Sequence, residues 1–178
     1  MVPKLLRHAQ LGFSLMEILI SIVVLSFGLL GLGGLQMTAL KETNNSHFRT
    51  VASLAVTDLA DRMRANYTAA EAGQYNSQYD LSTCNTPPEK LCKANTICTP
   101  SELAVYDLYH VNCGVVAGNL QTGGIQYNLP SAYMSVACGE TPCKPDSEHT
   151  ILVRWEETDN DDSDTQAQTR TYVLKFSP

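Results

Sequence analysis

Gly12, Phe13 and Glu17 form the clearest chemical pattern in the chain. Gly12 is a small residue at which a peptidase can cut, and an apolar run reaching Leu35 begins directly after it. In an ordinary secretory signal the apolar region precedes the cleavage site and is discarded. Here the order is reversed, so a cut between Gly12 and Phe13 leaves the apolar segment attached. Such a cut creates an amine on Phe13, one helical turn from Glu17 and equally available to the Glu17 of a neighbouring copy. Glu17 is the only charge between residues 13 and 35. An unpaired acid in lipid costs about 2.5–3.5 kcal/mol on insertion scales. Two unit charges ~4 Å apart attract by roughly 4 kcal/mol at an effective dielectric of about 20. The terms are of similar size, so pairing decides whether this helix is stable alone or in a bundle.

A second chemical group is the cysteines: Cys84, Cys92, Cys98, Cys113, Cys138 and Cys143, all beyond the apolar segment. An even count in an exported domain reads as three disulfides, and six cysteines allow about 15 pairings. Cys138 and Cys143 are the best local pair, because Gly139 and Pro142 favour a turn between them. A metal site would call for C-x-x-C knuckles or cysteine with close histidine, and neither spacing occurs; no metal or cofactor is expected. The acidic run from Asp159 to Asp164 offers oxygens to calcium, but an EF-hand wants glycine and glutamate where Asp164 and Arg170 stand, so a solvated hairpin loop is expected. His8 in the leader, His47 on a polar helix side, His110 on a short helix and His149 beside a strand define no nucleophile or metal motif. The serines lack a strand-turn-helix context, and the chain reads as noncatalytic.

The elements that must position these groups follow from periodicity. Residues 13 to 35 number 23, ~35 Å as α-helix, enough to cross a hydrocarbon core of ~30 Å. From 36 to 66 there is no proline, and Leu40, Phe48, Val51 or Ala52, Ala55, Leu59 and Met63 recur at steps of three and four, giving an amphipathic continuation with one face for a sheet. The charges Asp58, Asp61, Arg62 and Arg64 suit a solvated helix end with i,i+3 and i,i+4 pairs. Gly28, Gly31, Gly33 and Gly34 either allow close helix packing or lower helix stability by about 1 kcal/mol each relative to alanine.

The head, residues 67 to 178, opens with a polar, cysteine-bearing stretch through Cys98. Thr99 and Glu102 have capping-box spacing around Pro100, which predicts a helix from Pro100 to about Asn112 with Leu103, Ala104, Leu108 and Val111 buried, ended by Cys113 and Gly114. The stretch from Asn119 to Pro130, with Gly123 and Gly124, reads as a connection with room for a short strand at Ile125 to Leu129, and three clearer strands follow at Ala132 to Cys138, Thr150 to Glu157 and Thr169 to Phe176. In the last, Tyr172, Leu174 and Phe176 share a face. The result is an α+β architecture, a small antiparallel sheet on a long helix.

The segment Gly12-Phe13-Ser14-Leu15-Met16-Glu17 resembles the class III leader and N-terminus of type IV pilins and pseudopilins. The run Ser26 to Gln36, with its glycines, and Asp58-Leu-Ala-Asp-Arg-Met-Arg-Ala-Asn66 together resemble the PilV family of minor pilins, as do Thr99-Pro-x-x-Leu103, Tyr106-Asp-Leu108 and Leu129-Pro130. Resemblance is dense over 12–66, patchy over 98–176 and absent over 67–97. It implies the type IV pilin fold: a leader at 1–12, a transmembrane half-helix at 13–35, an amphipathic half at 36–66 and a disulfide-bearing head at 67–178. It also implies cleavage between Gly12 and Phe13 by prepilin peptidase, N-methylation of Phe13, and assembly through Glu17. The implied protein is a minor pilin that joins other minor pilins and the major pilin through the inner-membrane assembly machinery. It would help initiate the pilus from a priming or tip complex and support twitching motility and adhesion. Its head would be periplasmic before assembly, on a single-pass inner-membrane anchor, and on the pilus, at its tip, afterwards. A type II secretion pseudopilin would share leader and anchor, and a membrane-tethered periplasmic binding module would need neither processing nor partners.

Composition agrees with an exported globular chain. A 17% charged and 44% hydrophobic sequence is too apolar for disorder. Loss of Lys4 and Arg7 with the leader leaves ten basic residues against 18 acidic, a charge of −8, and no basic patch offsets it for nucleic acid. The positive-inside rule orients the anchor only weakly, since Lys41 and Arg49 follow it; the cysteines say more about where the head resides.

Overall fold

The computed structural model describes residues 12, 14–93, 95–117, 120–158 and 167–178. Helix α1 runs unbroken over Leu15–Ala65. It is followed by a one-turn helix α2 (Tyr67–Glu71), strand β1 (Ser77–Tyr79), a 3-10 turn at Leu81–Asn85 and helix α3 (Pro100–Cys113). Strands β2 (Val115–Ala117) and β3 (Leu120–Thr122), helix α4 (Gly124–Asn128) and strands β4 (Tyr133–Cys138), β5 (His149–Thr158) and β6 (Ala167–Phe176) complete the chain. Two compact units divide it, 1–44 and 45–178.

In the first unit α1 is apolar all round, and its large side chains, from Leu15 through Leu40, are exposed to the surroundings. A helix of that kind has no aqueous reason to stay single; its length and composition suit a membrane span. In the second unit the same helix becomes one-sided. Ala52, Val56, Leu59, Ala60 and Met63 are buried, with Phe48, Val51 and Ala55 at the margin of the core. The stripe is thus centred on Val56 and Ala60, which the periodicity argument passed over, while Leu40 is 62% exposed. Two of the five fully buried positions are alanines, so backbone can approach the sheet closely there.

The sheet against this face is antiparallel, ordered β1-β4-β5-β6. Its pairings place Val136 opposite Ile151 and Ile151 opposite Leu174, with Met134 opposite Val153 and Val153 opposite Tyr172. Alternation then sends Met134, Val136, Ile151, Val153, Trp155 and Phe176 to the buried side. Tyr172 and Leu174 join them partly buried, as the period-2 reading of the last strand requires.

The predicted strand at Ile125–Leu129 is instead helix α4. Ile125 and Leu129 are both buried whereas Tyr127 is 49% exposed, a four-residue period that a strand would not give. Glycine makes the turn possible. Gly114, Gly123 and Gly124 all have positive φ, and a Cβ on Gly114 or Gly124 would strike backbone atoms of the facing segment. The polar stretch after α1 is also more ordered than its lost periodicity suggests, since it holds α2, the fully buried Tyr75 and edge strand β1.

Helix α3 starts as its sequence dictates. Thr99 Oγ1 accepts from the Glu102 amide and Glu102 Oε2 accepts from the Thr99 amide, a complete capping box. That backbone amide, and then Lys90 at 2.9 Å, hold the Glu102 carboxyl below its ordinary pKa. Leu103 is only half-buried, and Asp107, Tyr109 and Asn112 are buried beside the expected Ala104, Leu108 and Val111. Asp107 is 3% exposed, accepting from Arg62 Nη1 at 3.0 Å and from the Tyr75 hydroxyl at 2.9 Å. Asn66 extends the chain, donating to Tyr75 Oη and to the Pro100 carbonyl.

Three disulfides close the head: Cys84–Cys113, Cys92–Cys98 and Cys138–Cys143. The first ties the 3-10 turn to the last residue of α3, the second loops the segment before α3, and the third lies in the β4–β5 connection.

Two outcomes follow. Asp107→Ala should destabilise the head by about 2–4 kcal/mol, because it strands a part-buried guanidinium and a buried hydroxyl, while Asp107→Asn, which keeps an acceptor, costs less and Arg64→Ala at its exposed pair with Asp61 under about 1 kcal/mol. Denaturant titration ranks the three. Cys84→Ala with Cys113→Ala should cost the most of the disulfide removals, since chain entropy assigns about 3.6 kcal/mol to a separation of 29 residues and about 2 kcal/mol to separations of 6 and 5. The same titration on the three double variants checks the order.

Candidate functional site

The start of α1 is built by Ser14. Its carbonyl accepts from the Glu17 amide at 3.1 Å and the Ile18 amide at 3.3 Å, and its Oγ accepts from the Met16 amide at 3.3 Å. These bonds satisfy donors that a helix N-terminus otherwise leaves open. Gly12, ahead of this turn, is exposed. Phe13 lies outside the described residues, as do leader residues 1–11. Glu17 is exposed in the first turn, where a carboxylate also suits the positive end of the helix dipole. Nothing lies within 4 Å of a Cβ placed on Gly28, Gly31, Gly33 or Gly34. The helix surface at these glycines is open.

The end of α1 does more than present solvated charge pairs. Arg62 Nε holds Asp58 at 3.1 Å, one turn away, and Arg64 holds Asp61 at 2.7 Å. Arg62 also reaches across to Asp107 of α3. Burial pulls the Arg62 pKa down, but hydrogen bonds to Asp107 and Asp58 outweigh it and the guanidinium is held above its ordinary value. Burial likewise pushes the Tyr75 phenol well above its ordinary range, which keeps it a donor to Asp107. The nine-residue stretch Asp58 to Asn66 is therefore a clamp between α1, Tyr75 and α3.

A second buried carboxylate holds the sheet to α1. Glu157, 2% exposed, accepts from Trp155 Nε1 at 3.0 Å and Arg170 Nε at 3.1 Å, with Arg49 Nε of α1 at 3.6 Å. Periodicity reads residues 150–157 as a strand but does not mark Glu157 as inward-facing; the signal available was its place in the apolar register of Ile151, Val153 and Trp155.

All six cysteines are in disulfides, so none presents a thiol. His149, beside Cys143, is buried, with Nε2 3.6 Å from Cys143 Sγ. His110 is half-buried against Tyr106 at the end of α3, and burial lowers its pKa. His47 sits next to Phe48 on α1. The acidic run at 159–164 and His8 lie outside the described residues. Among the described residues the geometry thus offers an exposed Gly12, an exposed carboxylate on the first turn of an apolar helix and a head clamped by buried ion pairs.

Comparison with known families agrees. Residues 7–33 match the prokaryotic N-terminal methylation motif, and residues 34–109 match the family described as Tt1218-like, type IV pilin Tt1218. Comparison with curated proteins and with solved structures gives no match. The second matched segment contains Arg62, Asn66, Tyr75 and Asp107, so it spans the whole clamp. The architecture is the α+β type IV pilin fold, and the two matches, running end to end from residue 7 to residue 109, support a type IV pilin with a class III leader.

Proposed function

We propose that the chain is a minor pilin of the PilV type, which helps initiate type IV pilus assembly within a priming or tip complex and so supports twitching motility and adhesion. The observation that carries this reading is Glu17: the single charge of an apolar span, exposed on the first turn next to a leader junction. Alone in lipid that carboxylate is a cost of about 2.5–3.5 kcal/mol; beside the amine released on Phe13 of a neighbouring subunit it becomes the attraction that selects assembly over dispersal. Prepilin peptidase processing, Phe13 methylation and insertion beside other pilins in the inner membrane follow from it, with the disulfide-stapled head outside the cytoplasm before assembly and on the pilus after. The subfamily reading rests on the Ser26–Gln36 and Asp58–Asn66 stretches; the clamp gives the second of these a structural reason for its residue types.

Deletion of the gene should abolish or reduce surface pili while leaving protein secretion intact. Loss of secretion with normal pili would instead assign the chain to a type II secretion pseudopilin. Mass spectrometry of the mature protein should find Phe13, methylated, at the N-terminus; an N-terminus at Met1 or beyond Leu35 contradicts a pilin. Glu17→Leu should leave membrane fractionation and head oxidation normal and abolish co-purification with other pilins, because it makes insertion more favourable while removing the partner of the buried amine. Wild-type co-purification and piliation in that variant would show that the carboxylate plays no part in assembly.

A further inference from the structure

His149, the first residue of β5, is fully buried between two carbonyl oxygens: Ser147 O lies 3.0 Å from Nδ1 and Ala70 O lies 3.2 Å from Nε2. Carbonyl oxygens only accept, and which ring nitrogen donates to them depends on where the imidazole carries its proton. Cys143 Sγ lies 3.6 Å from the same Nε2, and the Sγ atoms of Cys138 and Cys143 together with a ring nitrogen of His149 all lie within 4.8 Å of one another.

We propose that, in the dithiol form of the head, Cys138 Sγ, Cys143 Sγ and His149 Nε2 bind one zinc ion or a similar thiophilic divalent cation, with the Ala70 carbonyl oxygen or water in the fourth position. Zinc bonds of about 2.3 Å to sulfur and about 2.0–2.1 Å to nitrogen and oxygen, at tetrahedral angles, separate S from N by about 3.5 Å and N from O by about 3.3 Å. The observed separations, 3.6 Å to Cys143 Sγ and 3.2 Å to Ala70 O, already match. In that site Nδ1–H would donate to Ser147 O, 3.0 Å away, the outer contact that fixes a metal-binding imidazole in this tautomer. The two sulfurs must part to about 3.7 Å, and both belong to half-buried residues flanking a connection that contains Gly139. The site would be neutral overall, two thiolates against a divalent ion, which suits a partly buried position.

The chemistry balances with an external dithiol as reductant. The dithiol gives up two electrons and two protons and becomes a disulfide; Cys138–Cys143 accepts them and becomes two thiols. Zinc binding then releases both thiol protons. Oxidation by a disulfide donor runs the electron transfer backwards and expels the metal, so metal occupancy and disulfide closure exclude each other at this end of the sheet.

The proposal is independent of any role in pili and is tested on the full chain in detergent micelles. Dithiothreitol is added until alkylation mapping shows Cys138 and Cys143 open and Cys84–Cys113 closed, and Co2+ and then Zn2+ are titrated in. The reduced chain should bind one equivalent, with thiolate-to-cobalt charge transfer and tetrahedral d–d absorption, and the oxidised chain none. His149→Gln should weaken binding at least tenfold. Cys138→Ser with Cys143→Ser, which lacks only the disulfide that reduction removes anyway, should abolish binding while far-UV circular dichroism matches the reduced wild type. Absence of the cobalt bands in the reduced wild type, or equal zinc affinity in the double serine variant, would overturn the site.

Discussion

A single buried carboxylate, that of Asp107, sets the geometry of the head. It takes one hydrogen bond from Arg62 at the end of α1 and one from Tyr75 in the segment that leaves α1, while sitting in the middle of α3. A carboxylate that accepts from a guanidinium and a phenol has its charge compensated and its lone pairs used, which is the condition for tolerating burial. Unpaired, the same group would oppose folding. Because the carboxylate and its two donors come from three places in the chain, α1, the turn after it and α3 meet at a fixed register beside the core that β4 and β5 close over Ala52, Val56 and Met63.

Glu157 performs a related task at the other end of the core, collecting Trp155, Arg170 and Arg49. The disulfides act on a different part of the balance. Two of them close loops of only a few residues and remove little freedom from the unfolded chain, whereas Cys84–Cys113 fastens a loop-rich stretch to α3. The head is thus held by buried ionic hubs where its helices meet and by covalent closure where its sequence is too polar to build a core.

The anchor obeys other rules because its solvent is different. In water, a helix exposing Leu15 to Leu40 all round would aggregate; in a bilayer the same surface is matched and the cost falls on Glu17 alone. One helix therefore carries two solvation problems, and the change from all-round to one-sided apolarity between 40 and 52 marks where one gives way to the other.

The sequence by itself determined whatever depends on neighbours along the chain. The length and apolarity of 13–35, the reversed order of junction and apolar run at Gly12, the capping box at Thr99 and Glu102, and the alternation of Tyr172, Leu174 and Phe176 are local, so periodicity and spacing report them directly. Local pattern also yielded the Cys138–Cys143 turn. The tertiary structure decided what depends on distant partners. Asp107 reads as a helix-surface charge until Arg62, 45 residues earlier, is brought to it, and Arg62 reads as half of an i,i+4 pair until α3 arrives. Ile125–Leu129 reads as a short strand because Ile125, Tyr127 and Leu129 alternate with Gln126 and Asn128, whereas in the fold Gly124 approaches Gly114 closely and the segment is helix α4. The pairing of Cys84 with Cys113 and the meeting of His149 with Cys143 and Ala70 were beyond spacing for the same reason: a contact closed through space has no period in the chain, so its partners become visible only when the fold has placed them.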